Sequence, residues 1–203
     1  MAFEFGETSF TLNNFIAARY NITADTYELP GTLESGQMLE IDPQADTDMM
    51  KGYGVTTRLL TVETMANISV KSGGYDFSTY AIMTGSSTDT SGTTPNQVRF
   101  EDLISGGAGL PYWGVIGEAV TDDGGLIVIG LRCCKLDKRP KFTLDGTANK
   151  YNLSEAGGKA IPIVTSSALQ LGRRRSYETL ADWTANRPTD GAEFKAFFTD
   201  AAS

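Results

Sequence analysis

The sequence has no histidine. That absence removes the commonest general base and the commonest metal ligand together. Cysteine is nearly as scarce: there are two, Cys133 and Cys134, and they are neighbours. Adjacent strand residues point to opposite faces and are poorly placed to bridge, so the pair reads as two reduced thiols filling small apolar positions. A second pair at metal spacing is missing, which argues against a zinc site. No apolar run is long enough for a membrane helix, and Met1–Glu7 lacks the basic start and apolar stretch of a signal peptide. Basic charge is also short, at 17 Lys and Arg against 25 Asp and Glu, for a net charge of −8. Such a chain should not grip phosphate backbones as a whole. The deficit is local: residues 1–136 hold 7 basic and 17 acidic side chains, residues 137–203 hold 10 and 8. There is no repeat period and no heptad pattern.

What is present favours strands. Twenty-two glycines and 7 prolines punctuate 203 residues of which 40% are hydrophobic, enough for the core of one domain. From Tyr27 to Asp42, Tyr27, Leu29, Leu33, Leu39 and Ile41 share one parity, and Glu28, Glu34, Glu40 and Asp42 share the other. Thr57 to Lys71 alternates likewise, with Leu60, Val62, Ala66, Ile68 and Val70 against Thr61, Glu63, Asn67, Ser69 and Lys71. Alternation of this kind predicts two strands with one core face and one polar face. Tyr27, Leu33, Leu39, Leu60, Val62, Ile68 and Val70 are the expected core. Between the two strands, Pro43–Val55 reads as a long polar loop that leaves Met49, Met50 and Tyr53 uncovered. A short helix is expected over Tyr75–Thr84, stopped by Gly85. The clearest hairpin is Tyr112–Val120, an Asp-Asp-Gly-Gly turn, and Leu126–Leu136. Leu126–Leu131 is apolar on both parities, which predicts cover on both faces, one lid being supplied by a neighbouring chain.

Candidate chemistry is thin. Asp42, Asp46 and Asp48 do not match the spacing of a calcium loop, and Gly106-Gly107-Ala108-Gly109 lacks the lysine of a phosphate cradle. No Ser or Thr has an evident activating base. The expectation is a protein that is not an enzyme, with no cofactor and no metal. Arg173-Arg174-Arg175 opens a different stretch; as a run it reads first as a solvated or salt-bridged segment and only second as a nucleic-acid contact. Asp190 is placed to cap a short helix over Ala192–Phe198. The expected organisation is a domain over residues 1–171, with an N-terminal arm over 1–14, and a C-terminal extension over 172–203. Trp183, Phe194, Phe197 and Phe198 are too apolar to stay wet, and contact with a neighbouring subunit is their expected use.

The order of these parts carries a resemblance. Gly31-Thr-Leu-Glu-Ser-Gly-Gln-Met-Leu-Glu-Ile-Asp42 is followed by Met49-Met-Lys-Gly-Tyr-Gly54, a strand ending at Lys71, and the helix with its Thr-Gly stop. Later comes Lys150-Tyr-Asn-Leu-Ser-Glu-Ala-Gly-Gly-Lys-Ala-Ile-Pro-Ile163. Across roughly residues 16–165 this resembles the tail tube (major tail) proteins of long-tailed bacteriophages. The resemblance implies a mainly β, sandwich or barrel-like fold with one short flanking α-helix, a long inter-strand loop and a C-terminal extension outside the shared pattern. It further implies six copies per ring, inner strands joined across subunits, and rings stacked into a tube that conducts DNA without binding it specifically. The partners would be further copies of the chain and other tail proteins, with no membrane, in a virion assembled in the host cytoplasm. Glu34, Glu40 and Glu63 are then the candidates to face the lumen, since an acidic or neutral bore lets a polyanion slide. Met49, Met50 and Tyr53 are the candidates for ring-to-ring contact. The alternative is a soluble β-sandwich binding or decoration module of a virion.

Overall fold

The computed structural model describes residues 10–33, 36–52, 55–72, 77–86, 88–93, 98–101, 109–121, 124–140, 154–164 and 169–199. Among the described residues, thirteen strands come in the order β1 Phe10–Asn21, β2 Thr26–Tyr27, β3 Gly31–Leu33, β4 Gly36–Gly52, β5 Val55–Ser72, β6 Thr88–Ser91, β7 Val98–Glu101, β8 Tyr112–Thr121, β9 Leu126–Leu136, β10 Ser154–Ala160, β11 Ile163–Val164, β12 Leu169–Gln170 and β13 Gly172–Tyr177. The described helices are short: α1 Phe77–Thr84, α2 Leu180–Asn186 and α3 Gly191–Thr199. The fold is mainly β, as expected. None of the described helices is long and apolar enough to cross a membrane.

All pairings are antiparallel, along the path β2-β1-β8-β9-β10-β5-β4. β3 pairs back onto β1, with Phe15 opposite Leu33 and Ala17 opposite Gly31. β4 also lies against β1, so the two ends of the path approach each other and the sheet curls in a barrel-like way around its interior. Phe15, Ala17, Ala66, Ile68, Val70, Trp113, Val115, Leu131, Cys134, Leu136, Ala156 and Ala160 fill its interior, and Tyr80 and Met83 of α1 join them. Gly85 ends α1 at φ +73°, a left-handed cap that glycine adopts without penalty.

Several expectations change. Tyr27–Asp42 is not one strand: β2, β3 and β4 are separate, and the register restarts between them. Tyr27 is buried, but in a second core outside the barrel, while Leu29 is 73% exposed. Ile68 and Val70 are barrel core as expected and Leu39 packs against it; the side chains of Leu33, Leu60 and Val62 lie outside the described residues. The expected loop over Pro43–Val55 is strand. β4 continues to Gly52 and β5 begins at Val55, paired from Ala45↔Glu63 to Gly52↔Val55. The arm expected over 1–14 is strand from Phe10 onward, within β1. The hairpin of β8 and β9 and the cap of α3 are as expected; the Glu193 amide donates to Asp190 Oδ1 at 2.8 Å.

The largest correction concerns residues 172–199. β13 pairs with β9 over its whole length, from Gly172↔Leu131 to Tyr177↔Leu126, so the expected boundary at residue 172 falls inside the sheet. Behind β1, β8 and β9 a second core holds Ile16, Ala18, Tyr20, Tyr27, Ile116, Leu126, Val128 and Cys133 together with Trp183, Phe194, Phe197 and Phe198. One face of the apolar strand β9 is covered by α2 and α3 of its own chain; on the other, Leu131, Cys134 and Leu136 are buried in the inner core while Ile129 stays 39% exposed.

Candidate assembly surfaces

A β-bulge in β9 shapes the covered wall. Trp113 pairs with Cys134 and Val115 with Leu131, so Gly114 alone stands opposite Arg132 and Cys133. Two residues against one is the mark of a bulge, which re-aims side chains. Cys133 goes to the outer core and Cys134 to the barrel interior. Both thiols are free and buried, as expected of small apolar residues, and burial raises that of Cys133 to about 11. Arg132, 2% exposed, turns toward the turn after β1. Its guanidinium meets Asp25 Oδ1 at 3.2 Å and Gln170 Oε1 at 3.3 Å, and lies 6.0 Å from the Phe198 ring centre.

Asp25 is the common acceptor. It sits at φ +48°, a left-handed position that Asp tolerates better than most residues. Tyr20 donates to Oδ1 at 2.8 Å, and Lys195 of α3 reaches Oδ2 at 2.7 Å and the Asp25 carbonyl at 2.7 Å. Burial opposes ionisation, but the hydrogen bonds from Lys195 and Tyr20 and the charges of Lys195 and Arg132 outweigh it, so the carboxyl titrates below its ordinary range. Burial, followed by the bond to Asp25, pushes the Tyr20 phenol up. Three elements are thus pinned at one carboxylate: the β1–β2 turn, the β9 bulge and α3.

A second pin lies along the same wall. Glu118 of β8 is buried, and Arg187, just past α2, comes within 2.9 Å of its Oε1. The approach is that of an ion pair with a buried carboxylate. Phe197 and Phe198 press onto β9 at Gly130, where a Cβ would come within 2.6 Å of Phe197 and 2.8 Å of Phe198. Two members of the arginine run also serve α3: Arg173 donates to the Phe197 carbonyl at 3.4 Å and Arg175 to the Ala196 carbonyl at 3.2 Å. Cations beside the last carbonyls favour a helix C-terminus. Trp183 and the three Phe, expected at a subunit contact, are instead consumed within their own chain, each at most 4% exposed.

The opposite wall is bare. On β4, Glu40 and Asp42 are exposed, and they stand in register with Ser69 and Asn67 of β5. Asn67 continues to Lys159 of β10 and then to Lys135 of β9; Met38 continues to Lys71 and Glu155. Directly opposed residues share a face, so this wall mixes acids and lysines; only the β4 margin is acid-rich. Of the lumen candidates, Glu40 therefore lies on the bare wall. Glu63 is in β5 opposite Ala45, beyond a register shift, and its side chain and all of Glu34 lie outside the described residues. Beyond that shift β4 and β5 continue as a ribbon carrying Met49, opposite Leu59, and Met50, opposite Arg58. The side chains of Met49 and Met50 and all of Tyr53 are outside the described residues.

The sequence had signals for part of what was missed. Arg132 is a lone charge inside an apolar run, and a charge there demands a partner. Nothing local pointed to Asp25 as that partner, 107 positions away. Among the described residues no group of acidic or cysteine side chains could hold a metal ion.

No family model matches this chain, and no curated protein does. Among solved structures, a chain in the six-fold symmetrised cryo-EM structure of the anti-feeding prophage baseplate aligns with 86% of this chain and 97% of its own length, at 9% identity and a TM-score of 0.41. At that likeness neither its fold nor its role transfers to this chain.

Proposed function

We propose that this chain is a structural virion protein that polymerises as stacked hexameric rings into a phage tail tube, a conduit for DNA, without catalysis or cofactor. One observation carries the reading. The β4–β5 ribbon runs from Ala45↔Glu63 to Gly52↔Val55 with no third strand beside it among the described residues. A two-stranded ribbon is marginal in water unless it packs on something. Further copies of the chain are the cover this reading assigns, with Met49, Met50 and Tyr53 at the ring-to-ring contact. The bare wall of Glu40, Asp42, Asn67, Ser69 and Lys159 is assigned to the lumen, with Glu34 and Glu63 at its margin. Mixed charge there is compatible with passage of a polyanion, because among the described residues Lys71, Lys135 and Lys159 share the wall with Glu40, Asp42 and Glu155, which offset their pull on phosphates. The C-terminal helices lie behind the opposite wall and are assigned to the outside of the tube.

Negative-stain microscopy of concentrated purified protein, with light scattering across a dilution series, tests this. Rings or filaments with a central channel are expected. Discrete monomers at every concentration would overturn it and favour a decoration module.

A further inference from the structure

We propose that β13 is a strand acceptor, and that in the assembly it is joined by the β4 edge of the ribbon from a second copy of this chain. This rests on the tube reading and names the two edges that meet.

The backbone pattern identifies the open side of β13. The Arg132 amide donates to the Leu171 carbonyl at 3.1 Å, and the register Gly172↔Leu131 puts those two residues opposite each other. Hydrogen-bonded and outward-facing residues alternate along an antiparallel pair. Arg173, Arg175 and Tyr177 therefore aim their backbone groups at β9, and Arg174 and Ser176 aim theirs away from it. Arg174 and Ser176 are exposed, and no strand among the described residues pairs on that side. An open groove of about 500 Å³ lies there, lined by Arg174, Arg175, Ser176, Tyr177 and Glu178 together with Asp182 and Asn186 of α2. Charged residues commonly guard an edge against stray pairing. Here Arg173 and Arg175 turn their guanidinium groups to the carbonyls of α3, so Arg174 is the one arginine of the three with no such contact, and the groove beside it also holds Glu178 and Asp182.

The occupant follows chiefly from what else in the chain is unfinished. Ala45–Gly52 of β4 pairs with β5 on one side and with no described strand on the other. It is long enough to match β13 and carries Asp46 and Asp48, for which Arg174 is the cation that α3 leaves available on β13. β4 and β13 belong to one sheet, so joining them across copies continues that sheet from subunit to subunit. A head-to-tail contact between two different edges closes into a ring when its rotation allows.

Ser176→Pro tests the edge. Proline there removes an outward amide and leaves the ladder to β9 intact, which is where strands tolerate it. The variant should fold with the wild-type circular dichroism spectrum and melting profile, yet need at least about a tenfold higher concentration to assemble, since each lost interchain bond is worth roughly that factor. Ser176→Ala should assemble normally. Arg174→Glu should weaken assembly, and combining it with Asp46→Arg and Asp48→Arg should restore it. Wild-type assembly by folded Ser176→Pro would overturn the acceptor edge while leaving the tube reading standing. Failure of the triple variant to recover would overturn the choice of occupant. A wild-type chain that never assembles would overturn both.

Discussion

Two walls of one barrel obey the same alternation rule and end differently. In β8 and β9 both parities are apolar: Val115 and Leu131 enter the barrel while Ile116 and Val128 face outward. In β4 and β5 only one parity is apolar: Ile41 and Ile68 face inward, and Asp42 and Asn67 meet water. The first wall has been given a lid of two helices. The second has none within the described residues. Double apolar parity states that cover is required; it does not say whose. For the outward parity the answer lay in the leftover aromatics of the same chain, whose burial contributes about 1.5–3 kcal/mol for each large side chain, whereas Ile129 on the other parity stays 39% exposed.

The largest expected effect breaks the covered wall outright. Truncation after Tyr177 removes α2 and α3 and exposes Ile16, Ile116, Val128 and Tyr27 together. A contiguous apolar face of that kind drives aggregation, so the truncated chain should be insoluble or bind a hydrophobic dye strongly. A soluble, cooperatively folded truncation would show that the helices are dispensable and that the outer core is not a core.

Single residues sharpen the same point. Phe198 is 1% exposed and touches Phe194, Phe197 and Tyr27. Phe198→Ala should cost about 3–5 kcal/mol in denaturant unfolding, as large-to-small core changes do. Arg187→Ala leaves the buried carboxylate of Glu118 without the cation beside it, and breaking a buried pair from one side costs about 3–5 kcal/mol. Arg187 is itself partly exposed, which places this variant at the lower end. Pairing it with Glu118→Gln should recover most of the loss. No recovery would mean that Arg187 works by packing and not by charge.

How much of this was legible varies by element. The β8–β9 hairpin, the helix stop at Gly85 and the capped helix after Asp190 rest on local turn and cap chemistry, and the structure bears them out. The Tyr27–Asp42 alternation was real in β4, but Tyr27 and Leu39 belong to different cores, because the chain breaks between them. Alternation is blind to such a break when the polar and apolar residues keep their order across it. Pro43 suggested a loop, yet Pro43 pairs opposite Ala66 inside a strand. It sits on the outermost strand of the path, where a missing amide costs little. The pins at Asp25 and Glu118 join residues far apart in sequence, and no local pattern encodes them.

The Asp25 pin gives a pH signature confined to the covered wall. Its carboxyl is depressed in the folded chain, so the stability it contributes is present above the ordinary carboxylate pKa of about 4 and is lost as pH falls through the folded value. Asp25→Asn should lower stability at neutral pH, leaving buried Arg132 beside Gln170 and the Phe198 ring without a charged partner, and should flatten the acid limb of the stability curve. Asp25 is half exposed, so the loss should be near 2 kcal/mol, below that of a sealed pair. An acid limb as steep as wild type would move the titrating group elsewhere.

The smallest effect belongs to the bare wall. Glu40→Gln and Asp42→Asn replace exposed side chains whose described contacts are with polar neighbours on the same face, so stability should shift by no more than about 0.5 kcal/mol. If the wall lines a channel for a polyanion, its charge should matter only in transit. Glu40→Lys with Asp42→Lys should keep the fold and the assembled particle, but make the channel retain duplex DNA in low salt and release it as salt rises. Retention that does not depend on salt, or a fold that collapses under these two changes, would mean that this face is spoken for by something other than solvent. The two walls would then differ in the identity of their cover and no longer in its presence.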